Sequence, residues 1–323
     1  MDYRRLGYSE MKVSALGLGG NSFGWKIDAP AAARIIDAAL DAGINYIDTA
    51  DMYDNGRSEE FIGAALKGRR GRVLIGTKFG SGDGVRMVFP EGKRHRGGSR
   101  PYIEKAVDAS LKRLQTDYID LYQLHDPDPE TPLEETLRAL DDLVKAGKVR
   151  YLGCCDFDAW QLCEATWTSR IHKLQQFVSV QRRYNLLDRR VEVELAGYCR
   201  EYGVGLIPWG PLAGGFLTGK YPASRQRAEL FGRDRETLIE AVYGDVPTEA
   251  NWNKVARLEK FAAACGHTVG ELALAWLISR PWVGMVCPSA TSTKQLAANM
   301  KALEWRLSRE EIEGVEKIAP VIL

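Results

Sequence analysis

The run Tyr118-Ile119-Asp120-Leu121-Tyr122-Gln123-Leu124-His125 decides the fold: an apolar segment of strand length ends in an ionisable side chain. Two earlier runs do the same. Tyr46-Ile47-Asp48 ends in a carboxylate, and Val73-Leu74-Ile75-Gly76-Thr77-Lys78 ends in an ammonium, with Tyr53 in the loop after the first of them. Working outward, residues 15–18, 151–154, 177–180, 205–208 and 284–287 read as further strands, which with 46–48, 73–77 and 118–124 makes eight. Helical patterns lie between them. Residues 31–42 are stopped by Gly43 and residues 132–146 by Gly147, each glycine standing just past the last turn. Ile35, Ile36, Ala39 and Leu40 have the spacing of one buried stripe. Short strands alternating with amphipathic helices are βαβ units, and eight of them close into a parallel barrel whose strand ends share one face. The expected fold is therefore α/β, a (β/α)8 TIM barrel forming one domain over residues 1–323. Residues 3–13 read as an N-terminal β-hairpin turning at Gly7-Tyr8-Ser9-Glu10.

Composition excludes several classes of function. With 323 residues and 45% hydrophobic content the chain can bury a large core, and a net charge of +1 leaves no basic surplus for nucleic acid or an anionic membrane. Neither partner is expected. No apolar run approaches membrane-spanning length and the first residues lack a secretory core, so a cytoplasmic protein is expected. Oligomeric state is not legible. Cys154, Cys155, Cys163, Cys199, Cys265 and Cys287 include no CxxC pair and read as reduced core residues, with a redox-active Cys154-Cys155 pair as the alternative. His95, His125, His172 and His267 are dispersed, so no metal site is expected.

Two connections break the compact rhythm. Residues 80–99 hold Lys93-Arg94-His95-Arg96, read as a solvated face with an anionic-substrate contact as the alternative. Residues 218–248 form a longer insertion, and 251–265 read as an extra helix. Long loops at the carboxyl ends of barrel strands usually carry function.

Asp48, Tyr53, Lys78 and His125 are the types needed for proton-coupled carbonyl chemistry. A phenol with a pKa near ~10 is a poor acid or base at neutral pH unless a nearby ammonium favours its phenolate. Lys78 can do this, Asp48 can hold Lys78 by an ion pair, and His125 can donate to the substrate oxygen that Tyr53 protonates. The runs Asp48-Thr49-Ala50-Asp51-Met52-Tyr53, Gly76-Thr77-Lys78-Phe79-Gly80, Asp117 to His125 and Gly147-Lys148-Val149-Arg150-Tyr151-Leu152-Gly153 resemble the aldo-keto reductase superfamily. The resemblance covers almost the whole chain. It implies that these four residues are a catalytic tetrad with Tyr53 as proton donor in reduction, and that the hairpin plugs the bottom of the barrel. It also implies a nicotinamide cofactor, NADP(H) favoured over NAD(H), and a small carbonyl or alcohol substrate.

Cofactor contacts are implied at Cys155, Asp156, Gln181, Trp209, Gly210, Pro211, Leu212, Lys220, Ser289, Thr291, Gln295 and Asn299. Gln181 matches the carboxamide-binding glutamine, Trp209 the ring-stacking aromatic, and residues 211–220 the pyrophosphate loop. The stretch 288–299 matches the adenosine site, where helix N–H groups form an anion site. Four departures stand out. Cys155-Asp156 replaces a Ser-Asn pair, and an ionised Asp156 can accept from the carboxamide but not donate to it; its charge would favour oxidised cofactor unless it is turned onto a neighbouring cation or neutral. Asp54 replaces a glycine. Ala298 replaces a glutamate, and the turn cation for a 2′-phosphate is missing, with Lys294, Lys220, Arg225 and Arg227 as substitutes. A second reading is a regulatory subunit of the same fold that binds the cofactor as a sensor, as potassium-channel β-subunits do; a long basic extension before Arg4 would favour it.

Overall fold

A barrel needs strands that are buried on both faces, and the strand runs here are apolar nearly throughout. In the computed structural model, which describes residues 1–81, 97–220 and 243–321, seven of them form one parallel sheet in chain order. These are β3 (Leu18–Gly19), β4 (Tyr46–Asp48), β5 (Leu74–Phe79), β6 (Ile119–Leu124), β7 (Val149–Cys155), β8 (Phe177–Arg183) and β9 (Gly205–Trp209). Tyr3–Arg5 (β1) and Lys12–Ser14 (β2) pair antiparallel as the expected hairpin.

The first and eighth strands are shorter than the sequence suggests. Residues 284–287 form no continuous strand, because the segment changes partners along its length. Val283 bridges Leu206 on β9, whereas Val286 and Ser289 bridge Leu16 and Gly19 on the opposite edge. Gly284 donates to Leu206 O at 2.8 Å and Gly17 donates to Val286 O at 2.8 Å, so the segment closes the barrel. Residues 15–17 are likewise taken up by that segment, leaving only Leu18–Gly19 paired with β4. β5 begins and ends later than expected, which puts Lys78 inside the strand rather than past its end.

Helices cover the outside. The expected pair are α1 (Ala29–Asp41), capped by the Asp28 carboxylate and ending before Gly43 at φ 87°, and α4 (Leu133–Lys145), ending before Gly147 at φ 75°. α1 buries Ile35, Ile36, Ala39 and Leu40, the predicted stripe. Between and after them run α2 (Arg57–Ala65), α3 (Arg100–Leu114), α5 (Ala159–His172) and α6 (Leu195–Tyr202). The extra helix is present as α7 (Glu249–Ala264), followed by α8 (Val269–Ile278), α9 (Thr293–Met300) and α10 (Arg309–Ile318). Among the described residues no single helix is long and apolar enough to cross a membrane. All six cysteines are free, with Cys154, Cys155 and Cys199 buried. Lys93 to Arg96, Arg225 and Arg227 lie outside the described residues.

Inside the barrel, the hairpin residues Leu6, Met11 and Val13 pack with Tyr46, Leu121, Val178, Ile207 and Met285. This apolar layer is the floor of the site. Full burial of Leu6 alone contributes about 1.5–3 kcal/mol, and a Cβ at Gly284 would lie 2.5 Å from Leu6 Cδ1, so glycine leaves room for the plug. Because side chains on a strand repeat every second residue, the next inward positions above Tyr46 and Leu121 are Asp48 and Gln123. The floor thus sets the register of the chemistry.

Tyr46 fills the barrel beside Gly76, where a Cβ would fall 1.7 Å from the phenol oxygen. That hydroxyl is buried with no hydrogen-bond partner. Gly76→Ala should destabilise the fold by about 1–3 kcal/mol or more through overpacking, and Tyr46→Phe should recover part of that loss. Tyr46→Phe alone should leave stability unchanged or higher, since it removes an unsatisfied buried polar group. Urea unfolding of the three variants measures this; a double variant no more stable than Gly76→Ala would show that the clash is elsewhere.

Candidate active site

The inward positions at the carboxyl ends of β4 and β5 put Asp48 and Lys78 side by side. Lys78, 1% exposed, donates to Asp48 Oδ2 at 2.6 Å, to the Thr49 carbonyl at 2.9 Å and to the Tyr53 hydroxyl at 3.2 Å. All three ammonium protons are therefore engaged, one of them on the phenol. Tyr53 opens the tight turn Tyr53–Gly56, in which Asp54 and Asn55 are left-handed, with φ 48° and 57°. Aspartate tolerates this left-handed conformation better than most residues, so the missing glycine is accommodated. The His125 ring stands edge-on to Tyr53 with centroids 6.1 Å apart at 80°.

Burial pushes the Tyr53 phenol above its usual range; Lys78 pulls it down and Asp48 pushes it up again. The expectation that Lys78 would leave it lowered is corrected here. Its pull is in the expected direction, but the desolvation of a half-buried phenol outweighs it. Burial also pulls on the Lys78 ammonium, but the Asp48 carboxylate and the Tyr53 phenol hold it well above its usual range. Burial, then Lys78, pushes the His125 imidazole down to about 3, and its Nδ1 is buried without a hydrogen-bond partner.

The other oxygen of Asp48 is engaged by amides. Gln181 Nε2 donates to Asp48 Oδ1 at 2.7 Å and to Gln123 Oε1 at 3.1 Å, and Gln123 Nε2 reaches Asp48 Oδ1 at 3.4 Å. Gln181 is thus joined, through Asp48, to Lys78 and Tyr53, with its Oε1 free of hydrogen bonds among the described residues. The buried Cys155 thiol is pushed well above its usual range by burial, with Lys78 close enough to oppose the rise. Asp156 adopts φ 56° and accepts the Trp209 indole N–H at 3.0 Å, with Arg182 at 3.6 Å. Burial raises its carboxyl above the ordinary range. The carboxylate is thus turned onto a donor and a cation.

Beyond Trp209, Gly210 has φ 63° and accepts from Asn185 Nδ2 at 2.9 Å, and Leu212 accepts from Gly215 N and Leu217 N. Pro211 lies in the same turn and Lys220 is exposed at its far end. A second group forms at the α9 end. Ser289 bonds Asn21 Oδ1, Asn299 Nδ2 donates to Ser289 O at 3.4 Å, and Gln295 Oε1 accepts from Thr291 N at 2.8 Å. Lys294 is exposed in the first turn of α9.

Sequence reasoning missed four contributors. Gln123 was legible as a polar residue at an inward position of an apolar strand. Tyr243 was not: it packs on Gly210 and Gly214, where a Cβ would meet its hydroxyl at 2.8 Å and its ring at 3.1 Å respectively, and stands edge-on to Trp209 at 6.5 Å. Arg182 binds Asp156 and, at 2.7 Å, Asp158. Asp51, in the tyrosine loop, is pushed up to about 7 by burial and by Glu59.

These features agree with known proteins. The Aldo/keto reductase family matches residues 15–320. The chain is 35% identical to a probable voltage-gated potassium channel subunit beta of Oryza sativa subsp. japonica, over 98% of this chain and 96% of the relative. It is 34% identical to versiconal hemiacetal acetate reductase of Aspergillus parasiticus, over 98% and 96%. With an aldo-keto reductase of Alternaria alternata it shares 37% identity over 97% and 90%. A match of this extent, on a closed parallel barrel with a tyrosine, lysine and aspartate joined at its mouth, makes the chain a member of the aldo/keto reductase family.

Proposed function

We propose that the protein interconverts an aldehyde, ketone or sugar carbonyl with the corresponding alcohol, using a nicotinamide cofactor. The observation that carries this reading is the lysine bridge, in which one buried ammonium holds both the Asp48 carboxylate and the Tyr53 phenol. A bound nicotinamide supplies the hydride equivalent that no side chain carries. The residues fit such a group: Trp209 offers an aromatic ring at the carboxyl end of β9, Gln181 Oε1 is left to accept a carboxamide N–H, and the turn 210–215 presents backbone at the same rim. Ser289, Thr291, Gln295 and Asn299 would hold the adenosine end, with Lys294 as a cation for a 2′-phosphate. NADP(H) is favoured over NAD(H).

In reduction Tyr53 donates its proton to the substrate oxygen, and in oxidation it takes one back. Its raised pKa keeps it protonated at neutral pH, and Lys78 stabilises the phenolate left after donation. His125, neutral because of its burial, orients the same oxygen by a ring N–H. Initial rates with NADPH, NADH and their oxidised forms against aldehydes, ketones and sugars test the reading. The existence of relatives named as probable potassium channel β subunits supports a second one, a cofactor-binding regulatory subunit. Failure to exceed one turnover per bound cofactor on every substrate would favour it.

The neutral histidine has a pH signature. Its folded pKa lies below the unfolded value near ~6.5, so its contribution to stability is present above that pH and is lost as the pH falls towards 3. Reduction rates should therefore show no His125 step between about pH 5 and 8. A step near 7 belongs to Asp51, and Asp51→Asn should remove it. Survival of that step in Asp51→Asn, with loss in His125→Gln, would reverse the assignment.

A further inference from the structure

Two of the sequence runs contain residues that the tetrad does not use, and these converge at the opposite, amino-terminal end of the barrel. Tyr118, Arg150 and Tyr151 line a cleft there of about 840 Å³, together with Lys12, Arg72 and Gln175. Its volume is in the range of small-molecule sites.

The charges in this cleft do not cancel. Asp120 is 1% exposed and already accepts from Arg70 Nη2 at 2.6 Å and from Ile75 N at 2.9 Å. Glu10, on the rim, is paired with Arg5 at 2.8 Å. Arg150 reaches Asp120 only at 3.4 Å, and its guanidinium lies 3.9 Å from the Tyr118 ring centre. Arg70 lies over the same ring at 4.3 Å. The Tyr118 ring holds the Arg150 guanidinium close to the cleft wall while its side chain stays 53% exposed, so most of its donors remain available. Lys12 and Arg72 are exposed and form no ion pair among the described residues. Three cations thus face one concave space in which both carboxylates are already held by other arginines, and such a space concentrates anions.

We propose that this cleft binds a small molecule carrying two or more phosphate groups, with Lys12 and Arg72 contacting the phosphates and the Arg150 fork aligning one of them. A phosphate chain matches the demand for several negative charges and for the planar geometry of the arginine fork. A nucleotide and a free polyphosphate share this chemistry. The site is remote from the tetrad and does not depend on the reaction assigned to it.

Calorimetric titration of the whole protein with tripolyphosphate and with ATP tests the proposal. Both are run without nicotinamide cofactor, which itself carries two or more phosphates and would compete for the cleft, and the heat that belongs to the cleft is the part that Lys12→Ala with Arg72→Ala removes. Binding is expected, weakened about ten-fold or more by Lys12→Ala with Arg72→Ala, since both charged donors to the phosphates are lost. Both side chains are exposed and unpaired, so these variants should fold and should turn over substrate like the parent. Lys294→Ala, at the opposite end, should leave the heat from the cleft unchanged. Tighter binding of ATP would identify a nucleotide, and equal binding a bare phosphate chain. Absence of heat at millimolar probe, or binding that Lys12→Ala with Arg72→Ala does not weaken, would overturn the proposal.

Discussion

Tyr53→Phe is expected to lower turnover by about 10²–10⁴-fold, the range for loss of a general acid-base group, while leaving cofactor affinity nearly unchanged. The ring keeps its packing, edge-on to His125 at 6.1 Å with the Lys78 ammonium 4.9 Å from its centre. Only the transferable proton and the longest of the three Lys78 hydrogen bonds, at 3.2 Å, are lost. Stability should therefore change by no more than about 1 kcal/mol. The effect should fall on kcat, since a proton donor acts in the transition state more than in binding. Steady-state rates and quenching of intrinsic fluorescence by cofactor measure the two quantities separately. Retention of more than about a tenth of the parent kcat would mean that another group supplies the proton.

The placement of this tyrosine beside Lys78 was legible because chemistry-bearing residues interrupt apolar strand runs, and a barrel brings strand ends to one face. Asp48, Tyr53 and Lys78 meet within hydrogen-bond distance from three separate segments, as the pattern implied. What the pattern could not give was the balance of energies. Spacing shows that an ammonium stands near a phenol, but the sign of the net shift depends on how much water the folded chain removes. Burial wins at Tyr53.

The edges of the barrel were legible less well. The eighth strand reads as a continuous apolar run, yet it divides its hydrogen bonds between β9 and the first strand, a property of closure that no local pattern records. Tyr243 is hidden for a related reason. It lies more than twenty residues beyond the glycines it covers, at the end of an insertion whose path the sequence does not fix. By contrast, the hairpin was readable from its turn residues, and its Leu6 fills the floor that sets Asp48 and Gln123 at the level of the chemistry.

Lys78→Met should be the most damaging single change, because it removes the one cation that holds both the Asp48 carboxylate and the Tyr53 phenol. Turnover should fall at least as far as in Tyr53→Phe, since the phenolate formed on proton donation loses its counter-charge. Stability should fall by about 3–5 kcal/mol, the cost of leaving one member of a buried pair without its partner. Asp48, 7% exposed, would keep only the amides of Gln181 at 2.7 Å and Gln123 at 3.4 Å. Such a carboxylate is driven to protonate, so in the variant its folded pKa should rise above the unfolded value near ~3.9. The folded state then binds the extra proton, so the stability deficit should be full above that raised pKa and shrink as the pH falls below it towards ~3.9. Combining Lys78→Met with Asp48→Asn should recover most of the stability and none of the turnover. Urea unfolding at pH 5 and pH 8, alongside rates at the same two values, reads both halves. A single variant as stable as the parent at pH 8 would show that Asp48 is held by its two glutamine amides and not by the lysine.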